Sequence, residues 1–288
     1  MVDGAEHHGS LYVVSTPIGN LRDITLRAID VLRAVDLILA EDTRHSRHLL
    51  DHHGIATPML SYHEHNEARA TETAIARLRE GRDVALISDA GTPLVSDPGT
   101  RVVRAAAEAG IAVVPIPGPS AVLAALVSSA LGSERFTFFG FLARKGRERE
   151  DALQELSSLR HTSVMYEAPN RVAATLGELG ARGAGERRVV VARELTKQFE
   201  EIRRGTVAEL SAYYESAPPR GEVVIVLEGT ILQPLAEDEL RSRARLMRAA
   251  GLSARDVAAA LVREGGASRN LAYRLAHEAC RTGMTSAG

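Results

Sequence analysis

The sequence of 288 residues contains no tryptophan, a single cysteine and only 4% aromatic residues. A lone cysteine, Cys280, excludes an internal disulfide and a cysteine-based zinc site. Low aromatic content argues against a stacking platform for single-stranded RNA, which depends on such rings. The chain is long enough for one large domain or two ordinary ones.

Long apolar runs are also missing. No run approaches the roughly 20 residues needed to cross a bilayer. The first ten residues lack the basic start and apolar stretch of an export signal. We therefore expect a cytoplasmic protein without membrane contact. The formal net charge of −2 does not indicate nucleic-acid binding, so any such contact must come from local basic patches.

Two ligand-binding signatures are absent: G-x-G-x-x-G after a strand, and G-x-x-x-x-G-K-[ST]. Neither of the usual cradles for dinucleotides and nucleoside triphosphates is therefore expected. His63 and His65 share one face of an extended segment, but no third ligand is spaced to match, so we predict no metal site.

The most informative stretch that is present is residues 88–99, SDAGTPLVSDPG. It follows the apolar run 84–87, which is typical of a buried parallel strand. Asp89 and Asp97 supply hydrogen-bond acceptors on a loop stiffened by proline and glycine. A second stiff loop, residues 115–121, follows a predicted strand at 111–114. Loops at the carboxyl ends of parallel strands are where α/β sheets bind ligands, so these two indicate a site.

Strands and helices alternate from Ser10 to about Leu131, which predicts a mainly parallel sheet with helices on both faces. Residues 134–232 also contain predicted strands, but the regular strand–helix alternation of the first lobe breaks before them. They predict an α+β lobe with a mixed sheet. We place the first lobe at residues 10–133. The fold class is therefore α/β and bilobal. Because the loops are stiffened by proline and glycine but no phosphate-binding signature is present, we expect a ligand that lacks a pyrophosphate, such as a sulfonium nucleoside.

Residues 236–284 predict a third, helical segment. Between Arg241 and Arg281 the chain has nine arginines and three acidic residues, so this tail is locally basic. Two short helices joined by a glycine turn are similar to a helix-turn-helix.

Six separated motifs, in the same order, resemble the tetrapyrrole-methylase-like (class III) S-adenosylmethionine-dependent methyltransferases. They are residues 15–21, 41–44, 88–99, 117–121, 166–169 and 193–197. Within that family they are similar to the branch that methylates a cytidine 2′-hydroxyl of 16S ribosomal RNA. The resemblance implies a bilobal fold, S-adenosylmethionine in the cleft between the lobes, a homodimer, and the 30S ribosomal subunit as partner.

The resemblance also implies a set of cofactor contacts. From the first lobe these are Pro17, Asp89, Gly91, Thr92, Ser120 and Ala121. From the second lobe they are Tyr166, Glu167, Leu195 and Gly221. Asp89 is the strongest candidate, because a carboxylate at a strand end can hold the ribose or amino group; its alternative role is to cap the following turn. For Tyr166 the alternative is a structural role in the hydrophobic core.

Methyl transfer to a ribose oxygen is an in-line displacement, so alignment supplies most of the acceleration. A base that accepts the hydroxyl proton adds a further factor of about 10²–10⁴. The candidates are Glu167, Glu194 and Lys197, of which Lys197 would need a depressed pKa. Each of the three also fits a surface ion pair.

The candidates for binding RNA phosphates are basic residues that follow strand ends or form a loop cluster. They are Arg22, Arg44, Arg144, Lys145, Arg147, Arg149 and Arg171. For the 144–149 cluster a solvated loop is the alternative.

Two other functions compete. A methylase of corrinoid or other tetrapyrrole precursors shares the fold and the cofactor, but it needs neither residues 41–44 nor a basic tail. A ligand-sensing DNA-binding regulator would use the helical tail to contact an operator.

Overall fold

The computed structural model describes residues 8–230 and 235–282 and divides the chain into two compact units. The first ends at Gly229 and the second begins at Thr230. Residues 231, 232, 283 and 284, which belong to the predicted second lobe and tail, lie outside the described residues. Among the described residues there are ten strands and eleven α-helices.

Ten strands and eight helices belong to the described part of the first unit. The strands are β1 (Leu11–Val14), β2 (Leu37–Ala40), β3 (Met59–Ser61), β4 (Val84–Ile87), β5 (Val113–Ile116), β6 (Phe136–Phe141), β7 (Thr162–Glu167), β8 (Arg188–Arg193), β9 (Glu201–Thr206) and β10 (Val223–Leu227). The helices are α1 (Leu26–Ala34), α2 (Thr43–His52), α3 (Glu67–Arg79), α4 (Thr100–Glu108), α5 (Ala121–Ser129), α6 (Arg147–Ser158), α7 (Val172–Leu179) and α8 (Val207–Ser216). Short 3₁₀ turns lie at Leu21–Asp23 and Pro169–Arg171, and a π-turn at Gly180–Ala184.

The first sheet has the order β3-β2-β4-β1-β5, and all its strand pairs are parallel. Alternate residues of its strands enter different cores, as the two-residue period of a strand requires. In β2, Ile38 packs in one core with Leu32 of α1 and Leu50 of α2. Leu39 packs in the other with Leu78 of α3. Helices therefore cover both faces, as predicted.

The second sheet has the order β6-β7-β10-β8-β9 and is mixed, because β6 and β7 are parallel and the other pairs are antiparallel. Helices α6, α7 and α8 cover one face. The other face packs against α5 of the first lobe, where Leu126 joins Val190 and Val224 in one apolar cluster. The two lobes thus share a core within the first unit.

The second unit contains α9 (Glu237–Ala249), α10 (Ala254–Gly265) and α11 (Arg269–Thr282). Leu240, Leu261 and Leu275 meet in its buried core. Arg274 of α11 lies 3.0 Å from Glu237 in the acidic first turn of α9, so part of the tail's positive charge is paired locally.

The predicted α/β fold class, with a parallel first sheet, a mixed second sheet and a helical tail, is confirmed. One predicted strand, residues 111–114, lies two residues further on as β5. Strand β9 was not predicted because EIRRGT has no apolar run; it is an edge strand, where charged side chains are usual. No helix in the part of the chain that the structure describes is long and apolar enough to cross a membrane.

Candidate active site

Three loops meet at the carboxyl edge of the first sheet, because β1 lies between β4 and β5. Thr16 and Gly91 exchange backbone hydrogen bonds of 2.8 and 3.0 Å, which join the loops after β1 and β4. The Thr92 hydroxyl lies 3.0 Å from that of Ser15 and donates to the Pro119 carbonyl at 3.3 Å. One threonine therefore links all three loops.

The backbone of two loops is strained in the same way. Leu94 and Ser96, after β4, have φ of 73° and 69°. Glu194 and Thr196, after β8, have φ of 52° and 67°. Side chains other than glycine rarely adopt positive φ, and such residues cluster at functional sites. These four are all but one of the non-glycine residues with positive φ in the described segments.

The second sheet presents one edge to these loops. Glu167 at the end of β7 and Arg193 at the end of β8 both pair with Val223 at the start of β10. Phe141, the last residue of β6, pairs with Tyr166. The ends of β6, β7 and β8 and the segment before β10 therefore lie side by side.

Between the two edges lies a cavity of about 380 Å³, which we call the cleft cavity. Its walls come from the loops after β1, β4 and β5 and from the second-sheet edge. The lining residues are Ile18, Ala90, Gly91, Thr92, Val95, Ser96, Asp97, Ser120, Ala121, Phe141, Tyr166, Glu167, Ala168, Pro169, Gly221, Glu222, Val223 and Val224. Small-molecule sites have this size and this mixture of apolar walls and few polar groups.

Carboxylates dominate the charge of the first-lobe edge. Burial raises the pKa of Asp97, and the nearby negative charge of Asp89 raises it further. Burial and the charges of Asp97 and Asp89 likewise raise the pKa of Glu41. Burial, then Asp97 and Glu222, raise the pKa of Tyr166 to about 12. The negative potential here favours a positively charged ligand.

Glu167 is held in a buried network. Its carboxylate accepts hydrogen bonds from the Thr175 hydroxyl at 2.6 Å and from its neighbour's N–H, on Ala168, at 2.8 Å. Arg171 pairs with it at 2.9 Å. Arg149, which is buried, donates to Thr175 at 3.0 Å. A carboxylate with this many donors is fixed in position.

Glu194 and Lys197 form an ion pair at 3.1 Å, and Lys197 also lies 3.1 Å from Glu222. Hydrogen bonds to the two glutamates raise the pKa of Lys197 despite its partial burial. The N–H of Glu222, and then Lys197, hold the pKa of Glu194 below its ordinary value. A catalytic base at Lys197 would need the opposite shift.

Most predicted cofactor contacts lie in the cleft cavity. They are Gly91, Thr92, Ser120, Ala121, Tyr166, Glu167 and Gly221. Pro17 and Asp89 instead line a smaller neighbouring cavity of about 170 Å³. The Asp89 carboxylate accepts the Asp42 N–H at 3.0 Å, a contact that joins the loop after β4 to the segment after β2 and is not a cap of the turn that follows Asp89. Leu195 is 8% exposed and packs in the core that the lobes share.

The predicted phosphate contacts divide into two groups. Five side chains are exposed: Arg22, Arg44, Arg144, Lys145 and Arg147. Arg171 donates to the Leu142 carbonyl at 2.8 Å, and buried Arg149 donates to that of Ala143 at 3.1 Å. Burial of Arg149 contradicts its place in a solvated basic cluster, because its guanidinium is enclosed by protein acceptors.

Sequence reasoning did not assign Asp97, Phe141 or Glu222 to the site, although all three line the cleft cavity. For Asp97 a signal existed, since it lies in the same loop as Asp89. For Phe141 and Glu222 the signal was their position at the end of β6 and the start of β10.

The cleft cavity fits a sulfonium nucleoside. Asp97, Glu167 and Glu222 supply carboxylates, and the apolar walls suit a nucleoside. Gly221 has φ of 81°, and a Cβ there would clash with the carboxylate of Glu194, so this position needs glycine. A pocket at the carboxyl edge of a parallel sheet, closed by a second mixed sheet, is the arrangement that the resemblance to the two-lobed methyltransferases implied.

Residues 10–211 match the family model of the tetrapyrrole (corrin/porphyrin) methylases, and the chain belongs to this family. It is an S-adenosylmethionine-dependent methyltransferase, as predicted. It is 45% identical over 273 residues to ribosomal RNA small subunit methyltransferase I of Synechocystis, covering 94% of this chain and 98% of that protein. Its identity to the Escherichia coli O157:H7 protein of the same name is 46%, covering 94% and 95%.

A solved structure has a similar fold. Uroporphyrin-III C-methyltransferase from Thermus thermophilus, complexed with S-adenosylhomocysteine, superposes with a TM-score of 0.57 at 18% identity. The match covers 76% of this chain and 97% of that one. At this identity the likeness shows the fold alone.

Proposed function

We propose that this methyltransferase acts on ribosomal RNA, and that it methylates the 2′-hydroxyl of a cytidine in the 16S rRNA of the 30S subunit. The observation that carries the proposal is the cleft cavity, whose carboxylates suit the positively charged methyl donor. Identity of 45% and 46% to two ribosomal RNA methyltransferases supports this choice of substrate.

The residues of the cleft cavity suit the parts of the methyl donor. Ser120 and Ala121 lie at the amino end of α5, where free N–H groups and the helix dipole favour the donor's carboxylate. Thr92 and Gly91 hold the adjoining loops at a fixed spacing. Bound S-adenosylmethionine supplies a methyl group on a cationic sulfur that leaves as a neutral thioether.

The ribose hydroxyl must lose a proton as its oxygen bonds to the methyl carbon. Among the carboxylates of the cleft cavity, Glu167 is held by four donors, whereas Asp97 has no ion pair in the described residues. The raised pKa of Asp97 also makes it a stronger base than an ordinary aspartate. Asp97 therefore accepts the proton in this proposal, with Glu167, Glu194 and Lys197 as positioning residues.

Contacts to RNA come from exposed cations in the segments that follow three strands. Arg144 and Lys145 lie three and four residues after the end of β6, whose last residue, Phe141, lines the cleft cavity, and Arg22 and Arg44 lie in the segments after β1 and β2. Phosphate contacts of this kind position the substrate without specifying its sequence.

The proposal includes a homodimer in the cytoplasm, where ribosomal subunits are found. Leu123 and Val127, one turn apart on α5, are 52% and 77% exposed and form an apolar strip that a second copy would cover. Val127→Glu should then yield monomers in sedimentation velocity, whereas an unchanged state would contradict this interface.

The substrate is tested by methyl transfer from radiolabelled S-adenosylmethionine to 30S subunits, free 16S rRNA and a precorrin-type tetrapyrrole. Label in a cytidine 2′-O-methyl group of the 30S rRNA is the expected result. Label only on the tetrapyrrole would contradict the proposal. Salt-resistant binding to a specific DNA duplex without methylation would favour a regulator instead.

A further inference from the structure

Phe141 is an exposed aromatic ring at the rim of the cleft cavity. Its side chain is 62% exposed although it ends a strand whose other phenylalanines are better covered. The pairing of β6 with β7 is irregular between Phe138 and Phe141, and Gly140 there has φ of 63°. Such irregularities re-aim side chains and are common beside active sites. Here the bend leaves the ring of Phe141 on the cavity wall and open to solvent.

The exposed ring is held in place. Its centroid lies 5.2 Å from that of Tyr166, which in turn packs edge-on against Phe138 at 5.0 Å. The next two carbonyls, of Leu142 and Ala143, are bound by Arg171 and Arg149. A ring that packs against Tyr166 and follows a backbone held by hydrogen bonds loses little conformational entropy when a ligand covers its exposed side.

The proposed substrate needs such a surface. A ribose can reach a methyl donor in an enclosed cleft only when its nucleotide leaves the base stack, and the extruded base then needs a new stacking partner. Arg144 and Lys145, three and four residues beyond Phe141, are exposed and can hold the adjoining phosphates. An aromatic ring and cations at one rim match the chemistry of a nucleotide.

On the basis of the proposed function, we propose that the base of the target nucleotide stacks on the exposed ring of Phe141. The low aromatic content argues against a platform for several bases; one ring serves the single nucleotide whose ribose is methylated. Any of the four bases can stack on an aromatic ring, so Phe141 positions the substrate and does not select cytosine.

The test compares Phe141→Ala and Phe141→Tyr with Phe199→Ala. Phe199 is a matched control, because it is 65% exposed but does not line the cleft cavity. With 30S subunits as substrate, Phe141→Ala should lower kcat/KM about 5- to 150-fold, equivalent to about 1–3 kcal/mol of stacking. Phe141→Tyr and Phe199→Ala should stay within about 2-fold of wild type. Tyrosine keeps an aromatic ring on which the base can stack, and Phe199 lies outside the cleft cavity.

Affinity for S-adenosylhomocysteine, measured by calorimetry, should be the same in all four proteins. The inference is overturned if Phe141→Ala keeps its kcat/KM, if Phe199→Ala loses as much, or if Phe141→Tyr is not active. Weaker S-adenosylhomocysteine binding by Phe141→Ala would assign the ring to the cofactor, and a changed sedimentation coefficient would assign it to a second copy. A wild-type protein that leaves RNA unlabelled would contradict the proposed function itself.

Discussion

Lys197 forms an ion pair with Glu194, three residues earlier in the chain: the Lys197 ammonium lies 3.1 Å from Oε1 of Glu194. The same oxygen accepts the N–H of Glu222 at 3.0 Å. Glu194 thereby ties the loop after β8 to the start of β10, where Gly221 and Glu222 line the cleft cavity. The ion pair and this hydrogen bond therefore hold together two segments beside the cleft cavity.

Glu194→Gln should reduce the free energy of unfolding by about 1.5 kcal/mol near neutral pH, because the variant loses a charge-assisted hydrogen bond. The pKa of Glu194 lies below its ordinary value of 4.5. The ionised carboxylate therefore stabilises the folded protein above pH 4.5, and this contribution to the free energy of unfolding is lost as pH falls below 4.5. Urea unfolding near pH 7 and about pH 3.5 measures the difference. An equal gap between wild type and variant at both pH values would contradict the assignment.

Asp97→Asn should lower kcat for RNA methylation by about 10²–10⁴ and leave S-adenosylhomocysteine affinity nearly unchanged. A base works in its ionised form, so the wild-type rate rises with pH through the pKa of Asp97, which burial places above 3.8. Single-turnover rates against pH should show this acid limb in wild type and lack it in the variant. An identical limb in both proteins would assign the proton transfer to another group.

Changing Arg144, Lys145 and Arg147 to Ser should weaken RNA binding and flatten its dependence on salt by about 0.7 in log–log slope per lost phosphate contact. Filter binding over a salt series measures the slope. Arg79→Ser with Arg82→Ser is the control, because these exposed residues lie at the amino end of β4, opposite the cleft. If both sets of changes alter the slope equally, residues 144–147 do not bind RNA phosphates in preference to other exposed cations.

Arg149→Ala should destabilise the protein by about 2 kcal/mol, because the Ala143 carbonyl and the buried Thr175 hydroxyl each lose a donor. Arg147→Ala, two residues earlier, should change stability by less than about 0.5 kcal/mol. The side chains are 7% and 93% exposed, respectively. Denaturant unfolding of the two variants compares them directly, and similar losses would show that burial of Arg149 contributes nothing.

Local patterns predicted the fold well because apolar runs end at recognisable turns: β4 occupies the whole apolar run predicted at residues 84–87. The site was harder because its geometry depends on distant contacts. Arg149 looked like part of a basic loop, yet its partner Glu178 is 29 residues away. Asp89 and Asp97 share one loop and differ only in which cavity each lines, a difference that spacing along the chain does not contain.

The most direct measurement is a calorimetric titration of S-adenosylhomocysteine into Ala121→Phe and Ala107→Phe. Each change adds a ring to a helix of the first lobe, but Ala121 on α5 lines the cleft cavity whereas Ala107 on α4 is exposed outside it. Ala121→Phe should fold normally and lose at least about 100-fold in affinity, equivalent to about 2.7 kcal/mol. Ala107→Phe should bind as wild type does. Undiminished affinity in Ala121→Phe would show that the methyl donor binds elsewhere.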